Sequence, residues 1–420
     1  MTPQLLPFQQ EGTAWLKSHF RCLLADEMGL GKTVQVLSLA QELPGIQKVL
    51  IVCPASLKLN WVREMKMWAP KFSGRHEVLS GATIGRPADF TVVNYDILAG
   101  RIDELAGTAW DLVVADEAHN LKNITAKRSS AFFGNLIAAN RLILLSGTPI
   151  PNRPKELWPL LRALDEEVWA DREKFEYAYC GGHYGDRGWW ADGATNLGEL
   201  NAKLQPYMLR RLKKDVLTEL PDKFYQTVEL ETKNVWSDKD EISLDEMATL
   251  RREEGMAKVS SVCEHLEDLL VERKKIVVFH YHREVGLALF NHFPKSVWLH
   301  GGTENGVRQS LVERFQNDNN TELFIGQIQA AGEGITLTAS DTVCFAELDW
   351  VPGRMNQATD RCHRIGQKNN VLVQHLVGEG TFDAWMSELL IKKSLNAGIA
   401  LGDIDPVAEF KKYKTGERKC

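Results

Sequence analysis

The sequence predicts an α/β protein of two parallel-sheet lobes, with a mostly helical insertion after the first. Three observations predict it. Short apolar runs rich in β-branched residues recur and alternate with longer polar-patterned segments, the pattern of buried parallel strands with helical crossovers. A glycine-rich segment, DEMGLGKT from Asp26 to Thr33, stands between one such run and a helix-like stretch. The stretch from Pro151 to Leu220 breaks the rhythm, carrying Trp, Tyr and Leu out of strand alternation. A chain of 420 residues suffices for two or three domains with cores of their own.

In the first half the strand runs are Cys22–Ala25, Val49–Cys53, Thr91–Asn94, Leu112–Ala115 and Leu142–Leu145. In the second half they are Ile276–Phe279, Ser296–Leu299, Leu323–Gly326, Val343–Ala346 and Val371–Leu376. Helices fit between them. Thr33 to Leu43 puts Val34, Leu37 and Gln41 on one face, and Leu311, Val312 and Phe315 do the same further on. The insertion, about residues 151–220, reads as helices around a Gly-rich loop, Cys180 to Gly193. The polar, acidic stretch Asn234 to Asp245 is the best linker, so the lobes are expected at 1–232 and 233–420, the second ending in a helical brace.

Composition narrows the class. Hydrophobic content of 44% and charged content of 25% are those of a soluble globular protein. No apolar run approaches the roughly 20 residues that cross a membrane. The N-terminus MTPQLLPFQQEG has neither the basic start nor the apolar core of a signal peptide. The seven cysteines are scattered, odd in number and never in CxxC, which disfavours a disulfide framework or a zinc site and favours a reducing, intracellular setting. A net charge of −6 excludes a basic coat for nucleic acid, so any such binding must come from local patches. Candidates are Arg210, Arg211, Lys213 and Lys214, and the tail from Lys411 to Lys419; the bland alternative for each is a solvated surface.

The chemistry concentrates in a few places. DEMGLGKT has the strand–loop–helix context in which backbone N–H groups and a helix N-terminus cradle phosphates, with Lys32 reaching the β- and γ-phosphates and Thr33 helping to hold Mg²⁺. Asp26 stands where GxxxxGK[ST] has its first glycine. Asp116-Glu117-Ala118-His119 follows a strand; the aspartate suits Mg²⁺ and the glutamate suits polarising an attacking water, against the plainer reading of an acid-rich helix start. Ser146-Gly147-Thr148-Pro149 is a polar turn after a strand, and the amide of Gln9 could pair with an adenine edge. QATDRCHRIGQ spaces Arg361 and Arg364 one helical turn apart, suggesting an ATP site completed from a second domain.

This ordered set resembles the superfamily-two helicase-like ATPases, specifically the Swi/Snf-type DNA translocases. The resemblance rests on LLPFQQEG, DEMGLGKT, VLIVCPASLKLNW, VVNYDIL, DEAHNLKN, LLSGTPIPN, MLRRLKKDVLTELP, HGGTENGVRQSLVERF, AGEGITLTAS and QATDRCHRIGQ, in family order over nearly the whole chain. FAELDW, GWWADGATNLGEL and GTFDAWMSELLIKK look like the annealing-helicase, HARP-like branch, here as a motor core without accessory domains. The family implies two RecA-like P-loop NTPase lobes and a DNA-stimulated ATPase using ATP and Mg²⁺. Asp26 is normal for the family.

Carried over residue by residue, the resemblance assigns adenine to Gln9. It assigns phosphate and Mg²⁺ to Asp26, Glu27, Met28, Gly29, Leu30, Gly31, Lys32 and Thr33, Mg²⁺ also to Asp116, and water activation to Glu117. His119, Ser146, Gly147, Thr148 and Gln357 would couple the nucleotide to DNA, and Arg361 and Arg364 would be arginine fingers. Duplex backbone contacts would come from Ser56, Lys58, Asn60, Trp61, Asn94 and Tyr95 in the first lobe. In the second they would come from His300, Gly301, Gly302, Thr303 and Thr336. Core packing is the stronger reading of Trp61 and Trp350, and insertion core or interface that of Trp189–Trp190. Gln327 and Gln329 stand where the family often has hydroxyl residues. The expected partner is double-stranded or branched DNA, bound by a monomer away from membranes, in the cytoplasm of a prokaryotic or phage-infected cell or in a nucleus. A strand-separating helicase and an ATP-gated DNA-binding module are the alternatives; the first lacks a visible wedge and the second would be marked by a lost Lys32, Glu117 or arginine finger.

Overall fold

The structure is a computed structural model that describes residues 4–81, 87–186, 188–232, 244–331, 334–378 and 381–403. The chain divides into two compact units, Met1–Thr218 with Leu395–Cys420, and Glu219–Ser394.

The first unit is built on a seven-stranded sheet in the order β3-β4-β2-β5-β6-β1-β9, every pair parallel. Its strands are β1 (Arg21–Leu24), β2 (Val49–Cys53), β3 (His76–Val78), β4 (Phe90–Asn94), β5 (Leu112–Asp116), β6 (Arg141–Leu145) and β9 (Met208–Leu209). Strand side chains alternate between faces, so Leu50 and Val52 enter one core while Val49, Ile51 and Cys53 enter the other. Burial on both faces is why these runs read as continuous apolar segments. The helix Lys32–Glu42 is buried from Gln35 through Ala40, which covers more than the single face expected of it.

Between β6 and β9 lie the helices Trp158–Leu164, Glu166–Trp169, Arg172–Tyr179 and Leu197–Leu204, with a two-stranded antiparallel hairpin, β7 (His183–Gly185) and β8 (Gly188–Trp190). Asp165 and Asp171 cap two of the helices by accepting from Val168 N (3.1 Å) and Lys174 N (3.0 Å). The expected helical insertion is thus present, its Gly-rich loop shaped into the hairpin. Trp189 is half-buried and donates to Glu176 Oε2 at 2.6 Å, whereas Trp190 is exposed beside His183.

The second unit carries a six-stranded sheet, order β10-β15-β14-β11-β13-β12, also parallel throughout. The strands are β10 (Lys223–Leu230), β11 (Ile276–His280), β12 (Ser296–Leu299), β13 (Leu323–Gln327), β14 (Thr342–Phe345) and β15 (Val371–Gly378). Val277 and Phe279 face one core, Ile276 and Val278 the other. The helix Asn305–Asn317 buries Val312 and Phe315 and packs Leu311 against the first of these cores.

Two boundaries differ from expectation. The division falls after Thr218 rather than at 232/233, because β10 pairs along its whole length with β15 of the second sheet. The chain from Leu395 onward groups with the first unit, because Ala397, Ile399, Ala400 and Leu401 pack on the core that holds Leu197, Leu200 and Leu204. The expected linker, Asn234 to Asp245, lies outside the described residues except where the helix Leu244–Ala257 begins, and the basic tail lies outside them altogether. Among the described residues no helix is long and apolar enough to cross a membrane, and the six described cysteines are buried free thiols.

Candidate functional site

The chemistry-bearing loops of the first unit leave the C-terminal ends of its central strands, where parallel α/β sheets present their ligand sites. After β1 the chain is held as an extra rung: Ala25 N donates to Leu209 O (2.7 Å) and Glu27 N to Arg211 O (2.9 Å). Gly29 (φ +85°) and Gly31 (φ +75°) then take left-handed conformations that let the loop curl back over the start of the helix Lys32–Glu42. A side chain at Gly31 would strike Gln9, whose Nε2 donates to Leu30 O at 3.3 Å while its Oε1 accepts from Leu6 N at 3.0 Å. Gln9 thus touches the glycine-rich loop itself. Gly147 closes on the same loop, since a Cβ there would lie 2.2 Å from Met28 Cγ and 3.2 Å from Lys32 Nζ.

Lys32 Nζ donates to Asp26 O at 2.8 Å. Burial lowers its pKa, while Glu117, Asp26 and Asp116 act in the opposite direction and Arg210 adds to the lowering. The lysine therefore sits amid carboxylates, where phosphate binding can use its charge.

Asp116 ends β5 and is buried. Its Oδ2 accepts from the Trp61 indole N–H (2.8 Å), its Oδ1 from Glu117 N (2.9 Å), and its carbonyl from the Tyr95 hydroxyl (2.7 Å). Burial pushes the carboxyl up to about 7, the Glu117 charge adds to this, and the Trp61 hydrogen bond and Lys32 oppose it. Glu117 takes a left-handed backbone (φ +50°), which for a residue with a side chain is strain of the kind that clusters at functional turns. His119 Nδ1 lies 3.4 Å from Glu117 Oε2 and 3.4 Å from Ser146 Oγ, which accepts from Thr148 N at 3.2 Å. The expected coupling residues of this unit therefore form one chain from Glu117 to the Ser146–Thr148 turn.

The basic run after β9 is a correction. Arg211, Arg210 and Lys213 do not form a surface patch, because each neutralises or braces the chain from Ala25 to Glu27. Arg211 donates through Nε to Asp26 Oδ1 (2.9 Å), through Nη2 to Asp26 Oδ2 and Gln35 Oε1, and through Nη1 to Phe8 O. Asp26 is fully buried, and Gln35 Nε2 donates to it at 3.0 Å. Arg210 pairs with Asp403 and donates to Ala25 O at 2.7 Å. Lys213 is buried 3.8 Å from Glu27, whose other oxygen accepts from Lys213 N. Of the four residues only Lys214 is exposed. A carboxylate at a buried loop position needs a cation, which Arg211 supplies.

The expected DNA contacts of the first unit divide. Ser56, Lys58 and Asn60 are half-buried around the start of the helix Lys58–Trp68; Lys58 Nζ donates to Leu79 O (3.1 Å) and Asn60 accepts from Arg63 (2.6 Å). Trp61, Asn94 and Tyr95 are a correction: all three are buried, and Trp61 and Tyr95 are turned onto Asp116 rather than onto a surface a duplex could reach.

In the second unit His300–Thr303 forms a turn beyond β12. His300 N donates to Thr303 Oγ1 (3.1 Å), Gly302 N to His300 Nδ1 (3.0 Å) and Gly301 N to Gln327 Oε1 (3.0 Å), leaving Gly301 and Gly302 exposed. Gln327 also donates to Tyr281 O at 3.1 Å, so it ties two loop ends together. The helix Pro352–Thr359 includes the buried Gln357 and ends before the arginines, which lie in the following turns and not on a shared helical face. Arg361 Nε donates to Gln357 O (3.2 Å); Arg364 Nη1 donates to Ile335 O (3.2 Å) and Thr336 Oγ1 (2.9 Å). Burial and the neighbouring Arg361 charge lower the Arg364 pKa to about 10.

Residues 8–277 match the SNF2-related domain family, and residues 257–366 match the helicase conserved C-terminal domain family. The chain is similar to the DNA annealing helicase and endonuclease ZRANB3 of Bos taurus, at 34% identity covering 95% of this chain and 40% of that protein. It is similar to the SWI/SNF-related matrix-associated actin-dependent regulator of chromatin subfamily A-like protein 1 of Xenopus tropicalis, at 33% identity covering 97% of this chain and 46% of that protein. It thus spans less than half the length of these relatives. Among solved structures it is similar to the Sulfolobus solfataricus SWI2/SNF2 ATPase core in complex with dsDNA, at 27% identity and a TM-score of 0.49, covering 96% of this chain and 94% of that one.

Proposed function

The chain belongs to the SNF2-related family with a helicase C-terminal domain, and on that premise we propose that it is a DNA-dependent ATPase that couples ATP hydrolysis to translocation on double-stranded DNA. The observation that carries the reading is the grouping of Lys32, Asp116 and Glu117 at one end of the first sheet, with Glu117 linked through His119 to the Ser146–Thr148 turn.

Mg²⁺ suits the donor set. Asp116 and Thr33 offer hard oxygens, and among the described residues no cluster of three or more His, Cys, Asp or Glu could cage an ion alone. Mg²⁺ characteristically takes one or two protein oxygens and completes its shell with nucleotide phosphates and water. When bound it supplies charge neutralisation at the phosphates. Lys32 holds the β- and γ-phosphates, the loop from Asp26 to Thr33 wraps them, and Gln9 beside Gly31 reads the adenine. Glu117 polarises the attacking water. Arg361 and Arg364 act as arginine fingers for the γ-phosphate, a role assigned by their motif. Ser56, Lys58, Asn60 and the His300–Thr303 turn, with Thr336, are the proposed backbone contacts. The annealing named in the bovine relative enters as a further proposed outcome of the same motor.

The test is paired: triplex displacement against unwinding of a labelled fork, with ATP turnover followed on duplex, single-stranded, forked and RNA cofactors. Duplex-stimulated turnover with triplex displacement and no unwinding supports the proposal. Fork unwinding without triplex displacement would replace it with a strand-separating helicase.

A further inference from the structure

We propose that Trp61 and Tyr95 are positioning residues that fix the Asp116 carboxylate for the metal ion of the bound nucleotide, an assignment that rests on the ATPase reading above. Three contacts converge on this one residue. The Trp61 indole N–H donates to Oδ2 at 2.8 Å, and the Glu117 backbone N–H donates to Oδ1 at 2.9 Å. Bonds to both oxygens stop rotation of the carboxylate. The Tyr95 hydroxyl donates to the Asp116 carbonyl at 2.7 Å and so holds the backbone where the chain turns into the left-handed Glu117.

The chemistry favours a working role over simple satisfaction. A carboxylate offers about four lone-pair sites, so two donors leave two sites for a metal ion or its water. Both aromatic side chains are buried, and a buried indole or phenol needs a polar partner. They come from different elements, the helix Lys58–Trp68 and the start of the short helix Tyr95–Leu98, and both meet at the end of β5. Trp61 donates to the Asp116 carboxylate and Tyr95 to its carbonyl, so the two act on side chain and backbone of one residue. The clamp therefore acts through Asp116. Groups that orient a metal ligand in this way are worth roughly 10- to 100-fold in metal affinity or activity.

The test uses the whole chain with Trp61→Phe, which keeps the ring and removes the N–H, and Tyr95→Phe, which removes the hydroxyl. Mn²⁺ binding in the presence of ADP is read by electron paramagnetic resonance, alongside the Mg²⁺ half-saturation of ATP turnover and ADP affinity without metal. Trp61→Phe should weaken Mn²⁺ binding and raise the Mg²⁺ half-saturation about tenfold. Tyr95→Phe should act in the same direction, and metal-free ADP affinity should hold in both. If one variant fails to fold, the other decides. Unchanged Mn²⁺ binding in a folded variant overturns the proposal, whatever happens to turnover. A wild type that binds Mn²⁺ with ADP yet hydrolyses no ATP would defeat the ATPase reading while leaving the clamp measurable.

Discussion

Arg211→Ala is the substitution whose cost the structure defines most sharply. It removes the guanidinium that holds both carboxylate oxygens of the fully buried Asp26, together with donors to Gln35 and the Phe8 carbonyl. The guanidinium also lies 5.4 Å over the Phe8 ring. Breaking one side of a buried pair leaves an uncompensated charge and typically costs about 3–5 kcal/mol. For a unit of this size each kcal/mol shifts the melting temperature by roughly 2–4 °C, so calorimetry should show the first unit melting about 6–20 °C lower. Lys17→Ala, which breaks a half-exposed pair with Glu42, provides the internal scale and should cost less than about 1 kcal/mol. Arg211→Met combined with Asp26→Asn removes both charges and should recover much of the loss. ATP affinity should fall in Arg211→Ala, because the loop from Asp26 to Thr33 loses its anchor. A cost for Arg211→Ala no larger than that for Lys17→Ala would refute the reasoning, and the basic run would then be surface after all.

Glu117→Gln should reduce ATP turnover at least about 100-fold while leaving nucleotide and DNA binding in place, measured by steady-state hydrolysis and by filter binding. Arg364→Ala should lower DNA-stimulated turnover by about 10³ or more with duplex affinity retained; normal turnover would remove the arginine-finger assignment. DNA affinity should fall steeply with salt, and Lys58→Ala should reduce the slope of log affinity against log salt by about one. A pH effect is expected in the second unit. His280 is buried, its Nδ1 paired with His282 O and its Nε2 with the Trp298 indole N–H, which fits only the neutral ring. Burial lowers its pKa from 6.5 to about 4. A depressed folded-state value means that the contribution is present above about 6.5 and is lost as pH falls toward 4, at roughly 1.4 kcal/mol per pH unit in between. Urea midpoints should drop from pH 7 to pH 5, and less so in His280→Gln.

What could be read from the sequence was local. Val49–Cys53 and Ile276–His280 declare themselves because strands buried on both faces must be continuously apolar. Asp26–Thr33 and Asp116–His119 do so because their working atoms come from adjacent residues. The strands of the two large sheets that escaped notice lie at edges: β3 has three residues, β9 has two, and β10 is mostly exposed and carries no apolar run. Moving β10 into the second sheet moved the domain boundary with it. The side-chain network escaped for a different reason. Arg211 meets Asp26 across 185 residues and Trp61 meets Asp116 across 55, and no period or motif signals such pairs. Trp61 and Tyr95 sit among expected DNA contacts by sequence order, yet their donors point inward because the end of β5 offers them acceptors. Arg361 and Arg364 have helical spacing, but the helix stops at Thr359.

The central claim is that this chain turns over ATP in response to duplex DNA. The direct measurement is steady-state ATP hydrolysis with and without saturating duplex, in the wild type and in Glu117→Gln. The account predicts a strong rise with duplex in the wild type, and a flat, near-zero rate in the variant despite retained DNA binding. Hydrolysis that ignores every DNA, or that survives Glu117→Gln, would contradict it.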